Sequence, residues 1–369
     1  MSGAFDSVED AIRAVAAGDL VVVVDDDDRE NEGDLIMAAS KATTDKVAFM
    51  IRHTSGILCT PVNEPQAQRL HLDPMVARND APMATAFTVS IDYKVGLSTG
   101  ISAEERANTV LALASNNTAA EDFVRPGHIF PLVARQGGVL VRSGHTEAAI
   151  DLAVAAQCPP VGLLAEIVND DGTVQRLPEL QEFAAKHGLR IISIADLIAY
   201  RQRREQLVIR TREFQVNTAI GRAQAFAYRT KFEDAEHLAL VFGDRGARRS
   251  DGVVVRIHRE KLVEDLFGPQ SSHASSLLDA SLTRLGELGG GILIYLRSGF
   301  AGVPLDHLAQ ADGDGSRAGK RNQDWLEVGV GAQILRDLGV TKLRILAGRE
   351  VDFVGLDGFG LTVTATELL

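Results

Sequence analysis

Apolar side chains at Val8, Ala11, Ile12 and Val15 fall on one face of a 3.6-residue period, with Ser7 placed to cap the helix and Gly18 to end it. Leu20 to Val24 replaces that period with an unbroken, mostly β-branched run, the pattern of a buried strand. Further on, Ser102 with Glu105 forms a capping-box pair that opens a helix through about Ala114. Val139 to Val141 reads as a strand, Ser143-Gly144 as a turn and His145 to Ala156 as a helix. Val161 to Val168 and Thr173 to Leu177 read as a hairpin around Asp171-Gly172, which sets Glu166 inside a strand. From Asp196 to Arg212 the chain is helical and dense in charge, the best linker candidate. Strands Val253 to Ile257, Ile292 to Leu296 and Leu343 to Leu346 follow, with a helix Gly331 to Leu338. These elements predict an α+β chain of two domains, 1–204 and 205–369, each a mixed sheet with packed helices.

With 369 residues, 45% hydrophobic and 24% charged, two globular domains are the ordinary expectation, and disordered or fibrous classes drop out. The net charge of −12 argues against a surface given over to nucleic acid or anionic membrane. The excess is uneven: residues 1–200 hold 28 acidic and 15 basic side chains, whereas residues 201–369 hold 22 and 23. Two cysteines cannot build a disulfide framework, the opening MSGAFDSVED lacks a secretory pattern, and no apolar run is long enough for a bilayer. A cytoplasmic protein without a membrane partner is expected.

The acidity concentrates where the Leu20–Val24 run ends, with seven carboxylates in the ten positions Asp25 to Asp34. Two like charges about 4 Å apart repel by roughly 4 kcal/mol at an effective dielectric near 20, so such packing calls for a counter-charge. Oxygen donors with little nitrogen or sulfur nearby favour a hard cation, Mg²⁺ or Mn²⁺. A solvated acidic loop is the plain alternative. Against it stand the position at a strand end and the interleaved Arg29 and Gly33, a fork for an anion and a place for close backbone approach. The glycine and glutamate spacing excludes an EF-hand.

Three more groups carry chemistry. Arg142-Ser143-Gly144-His145-Thr146 places backbone donors and an arginine at a helix start, a cradle for phosphate, and His145 is a metal ligand, a base or an ordinary helix-start hydrogen bonder. Arg125-Pro126-Gly127-His128 reads as a rigid loop presenting an imidazole, or as a simple turn. Glu166 among Val, Leu and Ile would have its pKa pushed up, unless it points outward as a surface residue. Cys59 reads as a small buried hydrophobe. Gly313 to Arg321 fails as a P-loop, because Asp314 stands at the first glycine position and no Ser or Thr follows the lysine.

Taken in order, Asp25 to Asp34, Ile51-Arg52-His53-Thr54-Ser55-Gly56-Ile57, Arg125 to His128 and Gly144-His145-Thr146-Glu147 resemble 3,4-dihydroxy-2-butanone 4-phosphate synthase across about residues 7–200. The resemblance implies conversion of D-ribulose 5-phosphate to formate and L-3,4-dihydroxy-2-butanone 4-phosphate with Mg²⁺ or Mn²⁺. It implies Glu30 and His145 as metal ligands and His128 and Glu166 as essential to catalysis. Arg29, Glu30, Asp34, Arg142, Ser143, Gly144, His145, Thr146 and Glu166 would bind substrate, with Asp25, Glu32, Cys59 and Thr99 at further active-site positions. It also implies a homodimer with its sites near the subunit interface.

From about residue 205, Arg256-Ile257-His258-Arg259-Glu260, Gly331 to Val340 and Gly355 to Leu361 resemble GTP cyclohydrolase II. That family holds zinc through three cysteines, and Lys261, Ser271 and His273 stand at those positions. Ser298-Gly299-Phe300-Ala301-Gly302 replaces its catalytic Glu-Gly-Arg stretch. An ammonium and a hydroxyl are poor substitutes for thiolates. The expectation is a cyclohydrolase fold without zinc or its reaction, the alternatives being retained activity or a nucleotide-binding or assembly module.

Overall fold

The computed structural model describes residues 5–27, 29–231, 235–243, 251–267, 277–297, 329–348 and 359–369. They form two compact units that divide between Arg201 and Gln202. The first contains α1 (Val8–Ala17), β1 (Val21–Val24), β2 (Gly33–Ala38), α2 (Thr44–His53), β3 (Cys59–Val62), α3 (Glu64–Arg69), β4 (Ile91–Tyr93), α4 (Ala103–Ala114), β5 (Phe123–Val133), α5 (His145–Ala155), β6 (Gly162–Glu166), α6 (Leu177–His187), β7 (Arg190–Ser193) and most of α7 (Ile194–Arg204). The second contains β8 (Val208–Thr218), β9 (Gly221–Thr230), β10 (Glu236–Phe242), β11 (Val253–Arg259), α8 (Leu262–Phe267), α9 (Leu277–Glu287), β12 (Gly291–Leu296), β13 (Lys342–Ala347) and β14 (Thr362–Leu368), with a helix over residues 329–337.

The seven strands of the first sheet run in the order β4-β5-β3-β6-β2-β1-β7. β1 is antiparallel to β2 and parallel to β7, and all of its residues are buried, as its all-valine sequence demands. β2 pairs antiparallel with β6, in a register that sets Asp34 opposite Glu166. Ser7 caps α1, accepting from the Asp10 N–H, and Gly18 ends the helix at φ +89°. The capping box of α4 forms as its sequence predicts. Val22, Val24, Leu35, Met37, Val47, Met50, Leu163 and Leu180 contribute to the core of this unit. The second unit has its own mixed sheet, β14-β13-β11-β12-β10-β9-β8, making both domains α+β.

Four local expectations are corrected. Val139 to Val141 is not a strand: residues Gly138–Leu140 form a 3₁₀ turn, entered through Gly137 and Gly138 at φ +99° and +64°, a conformation no strand accommodates. Arg125 to His128 lie inside β5 rather than in a loop, because β5 pairs with β4 through a register shift between Ile91 and Asp92 that accommodates the irregular backbone. The hairpin after β6 is short: Val168 bridges Val174, and the chain enters α6 at Leu177. The charged helix stops at Arg204, and Val208 begins an edge strand whose residues 209–215 are all exposed, so a polar sequence is tolerated there.

Candidate active site

The acidic segment is folded around its first carboxylate. Asp25, 6% exposed at the end of β1, accepts from the Glu32 N–H at 2.8 Å through Oδ1 and from the Glu30 N–H at 3.1 Å through Oδ2. The same Oδ2 accepts from Arg29 Nη1 at 2.8 Å, and Arg29 also pairs with Glu30 Oε2. Burial opposes the charge on Arg29, but Glu30 and Asp25 outweigh it and raise the pKa above the ordinary arginine range. Arg176, outside the segment, donates to the carbonyl oxygens of Glu30 at 2.8 Å and of Asn31. The loop is thus pinned by charge-assisted hydrogen bonds and is not a freely solvated acidic run.

Those bonds turn Glu30 toward the start of α5. His145, 7% exposed, places its Nε2 3.1 Å from the Val23 carbonyl oxygen. A carbonyl only accepts, so Nε2 carries the proton and the Nδ1 lone pair faces inward. Nδ1 lies 3.9 Å from both Glu30 Oε2 and Asp34 Oδ1. Burial lowers the His145 pKa and keeps the ring neutral, the form in which imidazole binds a metal. Asp25, Glu30 and His145 bring potential donor atoms within 4.8 Å of one another.

Asp34 supplies the test of whether a cation fits. It is 2% exposed, and its Oδ1 is buried without a hydrogen-bond partner. Burial first, then the charges of Glu166, Glu30 and Asp25, push its carboxyl well above the usual carboxylate range. An ion in contact with oxygen donors and one imidazole would satisfy the orphaned atom and relieve the repulsion, and donors on opposite sides of an ion with ~2.1 Å bonds stand about 4 Å apart. The residues present therefore fit a hard divalent metal.

Around this centre, Glu166 ends β6 and is exposed, so the enclosure in apolar neighbours expected from its strand is not found. Its Oε2 accepts from the Ser55 hydroxyl at 2.9 Å. Cys59 is 5% exposed; burial, followed by Glu166 and Asp34, raises its thiol pKa and keeps it protonated. Ser143 and Thr146 are buried at the start of α5, where the N-cap Gly144 offers no side-chain cap to the first-turn donors. Arg142 Nη1 donates to Glu147 Oε2 at 2.7 Å and Nη2 to the Met83 carbonyl at 3.2 Å, which fixes the guanidinium beside that helix start.

His128 belongs to a separate group on β4 and β5. Its Nδ1 lies 2.7 Å from Asp92 Oδ2, and Thr99 is exposed on the loop nearby in sequence, next to Gly100. In the sheet order β5 stands three places from β2, about 14 Å at ordinary strand spacing, and the polar partner of the His128 ring is Asp92 rather than a residue of the Glu30–His145 group. Sequence reasoning missed Asp92, Ser55 and Arg176; an aspartate following Val89-Ser90-Ile91 in an otherwise apolar run was the available signal for the first.

Residues 9–200 match the family described as 3,4-dihydroxy-2-butanone 4-phosphate synthase, and residues 209–367 match GTP cyclohydrolase II. The bifunctional riboflavin biosynthesis protein RIBA 1, chloroplastic, of Arabidopsis thaliana is 45% identical over 97% of this chain and 68% of its own length. The crystal structure of RibBX, a two-domain 3,4-dihydroxy-2-butanone 4-phosphate synthase from A. baumannii, is similar with a TM-score of 0.83 and 36% identity, covering 98% of this chain and 99% of that one. A crystal structure of 3,4-dihydroxy-2-butanone 4-phosphate synthase in complex with two magnesium ions is similar with a TM-score of 0.53 and 41% identity, covering 54% of this chain and 98% of that one.

Proposed function

The chain belongs to the 3,4-dihydroxy-2-butanone 4-phosphate synthase family, with a GTP cyclohydrolase II region after it, and from that premise we propose that Glu30 and His145 hold Mg²⁺ beside ribulose 5-phosphate. The synthase activity, which serves riboflavin biosynthesis, belongs to the first domain, residues 1–204 in our division. The observation that carries the site assignment is the inward-facing His145 Nδ1, 3.9 Å from both Glu30 and the orphaned Asp34 Oδ1.

When bound, the metal supplies Lewis acidity toward substrate oxygens that gain negative charge as an enediolate develops. The chain's own residues do the rest. Glu166, solvent-reached and held by Ser55, removes a proton next to the substrate carbonyl. The first-turn N–H groups of α5 with Ser143, Thr146 and Arg142 bind the phosphate and hold the reacting carbons near Glu166. Asp25 and Arg29 fix the loop that orients Glu30, Asp34 accepts from a substrate hydroxyl, and the neutral Cys59 thiol gives the carbons an uncharged wall.

His128 serves as a second acid–base group with Thr99 beside it. Because it stands apart from the Glu30–His145 centre within one chain, we assign it to the centre of a second subunit in a homodimer. Ile57, Val95 and Ile101, 48%, 66% and 55% exposed, supply apolar surface for that contact.

The second domain, residues 205–369, keeps the cyclohydrolase fold without zinc or the GTP reaction in this proposal. Lys261 Nζ pairs with Glu264 at 2.8 Å and offers no thiolate; Ser271, His273 and Ser298 to Gly302 lie outside the described residues. Bifunctional naming of relatives supports the opposite reading. About one zinc per chain, with formate and pyrophosphate released from GTP, would establish that alternative. Among the described residues no helix is long and apolar enough to cross a membrane, and with both cysteines free and a net charge of −12, we favour a cytoplasmic enzyme without nucleic-acid partners.

The test is formate release from ribulose 5-phosphate with Mg²⁺ by the full chain and by Glu30→Ala. Activity in the parent and its loss in the variant are expected; equal activity in both would defeat the metal assignment.

A further inference from the structure

Asp92 makes two contacts to one residue. It is 3% exposed on β4, and its Oδ1 accepts from the His128 backbone N–H at 2.8 Å while its Oδ2 stands 2.7 Å from His128 Nδ1. Holding both main chain and ring fixes where the imidazole points. An ionised carboxylate offers only acceptors, so the proton between them belongs to Nδ1, and in the neutral ring the lone pair is then on Nε2. The His128 side chain is 38% exposed, so the far edge of the ring can meet another molecule while Asp92 stays buried.

The backbone is built to allow this pair. Gly100 has φ +84°, and a Cβ there would lie 2.1 Å from Asp92 Oδ2 and 2.7 Å from His128 Nδ1, so only glycine lets the loop close over the two side chains. Gly127, beside His128, approaches the backbone of β4 so closely that a Cβ would meet Ile91 C at 2.0 Å, and its N–H donates to Ser90 Oγ at 3.1 Å. Arg106 on α4, 7% exposed, is the cation that feels the charge of Asp92.

We propose that Asp92 is a positioning residue of the synthase reaction, fixing His128 in the Nδ1–H form so that Nε2 is the atom that accepts and returns a proton. The inference rests on His128 taking part in that reaction. Asp92→Asn keeps an acceptor for the His128 N–H but turns an NH₂ toward Nδ1, which drives the ring to the Nε2–H form, unable to act as a base. The expected loss is 10²- to 10⁴-fold in kcat with KM little changed.

Nitrogen-15 spectra of the imidazole in the parent enzyme are the first measurement, and an Nε2–H ring there overturns the proposal without any variant. The second is a cycle with His128→Ala. Asp92→Asn should cost nothing further in that background, and an undiminished cost would make Asp92 merely structural and overturn the assignment. A tautomer switch in Asp92→Asn with kcat intact in both single variants overturns instead the catalytic role of His128 on which the inference rests.

Discussion

Asp34 and Glu166 stand directly opposite each other across the antiparallel pairing of β2 and β6, one buried at 2% exposure and the other open to solvent. The buried partner bears the cost, since Glu166 is the largest of the charges that raise the Asp34 pKa after burial itself. Two carboxylates in unlike environments suit unlike roles, the buried one binding substrate beside the proposed metal and the exposed one exchanging protons.

Glu166→Gln separates those roles. Removing a charge opposite Asp34 relieves repulsion, and glutamine still accepts from Ser55. The melting temperature of the metal-free protein should be no lower than the parent's, while kcat falls 10²- to 10⁴-fold. A melting temperature lowered by several degrees together with retained turnover would show that Glu166 is structural.

The crowded carboxylates also predict a stability linkage to metal. A ligand that binds only the folded state stabilises by RT ln(1 + [L]/Kd), about 2.7 kcal/mol at a hundredfold excess over Kd. Mg²⁺ should raise the melting temperature of the parent, Ca²⁺ and Na⁺ less so, and Glu30→Gln should lose most of the Mg²⁺ response while melting normally without it. Scanning calorimetry with and without Mg²⁺ reads this directly, and equal Mg²⁺ shifts in parent and variant would remove Glu30 from the site.

Gly100→Ala probes the close approach behind His128. An L-residue in the left-handed region costs about 1–2 kcal/mol, and the added methyl would also meet Asp92 Oδ2. The expected outcome is a moderate loss of melting temperature with a larger loss of kcat, because the nearest atoms are those that hold the imidazole. Gly172→Ala is the control: its φ is +85° with no atom within 4 Å of the added carbon, so it should cost stability alone.

What the chain reveals before folding depends on whether a signal is local. Ser7 and Gly18 around α1, Ser102 and Glu105 at α4 and the valines of β1 act through neighbours in sequence, and each element appears where they put it. Pro126 and Gly127 give the same local cue for a turn, yet β4 recruits them into β5 through a pairing more than thirty residues away. The Glu30–His145 centre is legible as residue types, whereas its geometry comes from distant partners such as Val23 and Arg176. That Asp34 is the buried carboxylate with the raised pKa while Glu166 opposite it reaches water depends on which end of a strand is solvated, and no local pattern states that.

His237 gives the second domain a predicted pH dependence independent of metal. It is 4% exposed on β10, and its Nδ1 accepts from the Arg297 backbone N–H at 3.1 Å. Burial, then the charge of Arg297, lowers its pKa from 6.5 to about 4. A depressed folded-state pKa means that the unfolded chain binds the proton first as pH falls. The stabilisation is complete above pH 6.5 and is lost between 6.5 and about 4, amounting to about 3 kcal/mol at roughly 1.4 kcal/mol per unit. His237→Gln keeps an acceptor for the Arg297 N–H but does not titrate. Relative to the variant, the parent should lose about 3 kcal/mol of stability between pH 6.5 and about 4, so the titration separates the two proteins least at pH 7 and most near pH 4. Thermal unfolding of both proteins across that range is the measurement, and parallel curves would show that the ring is protonated in the folded state or reached by water.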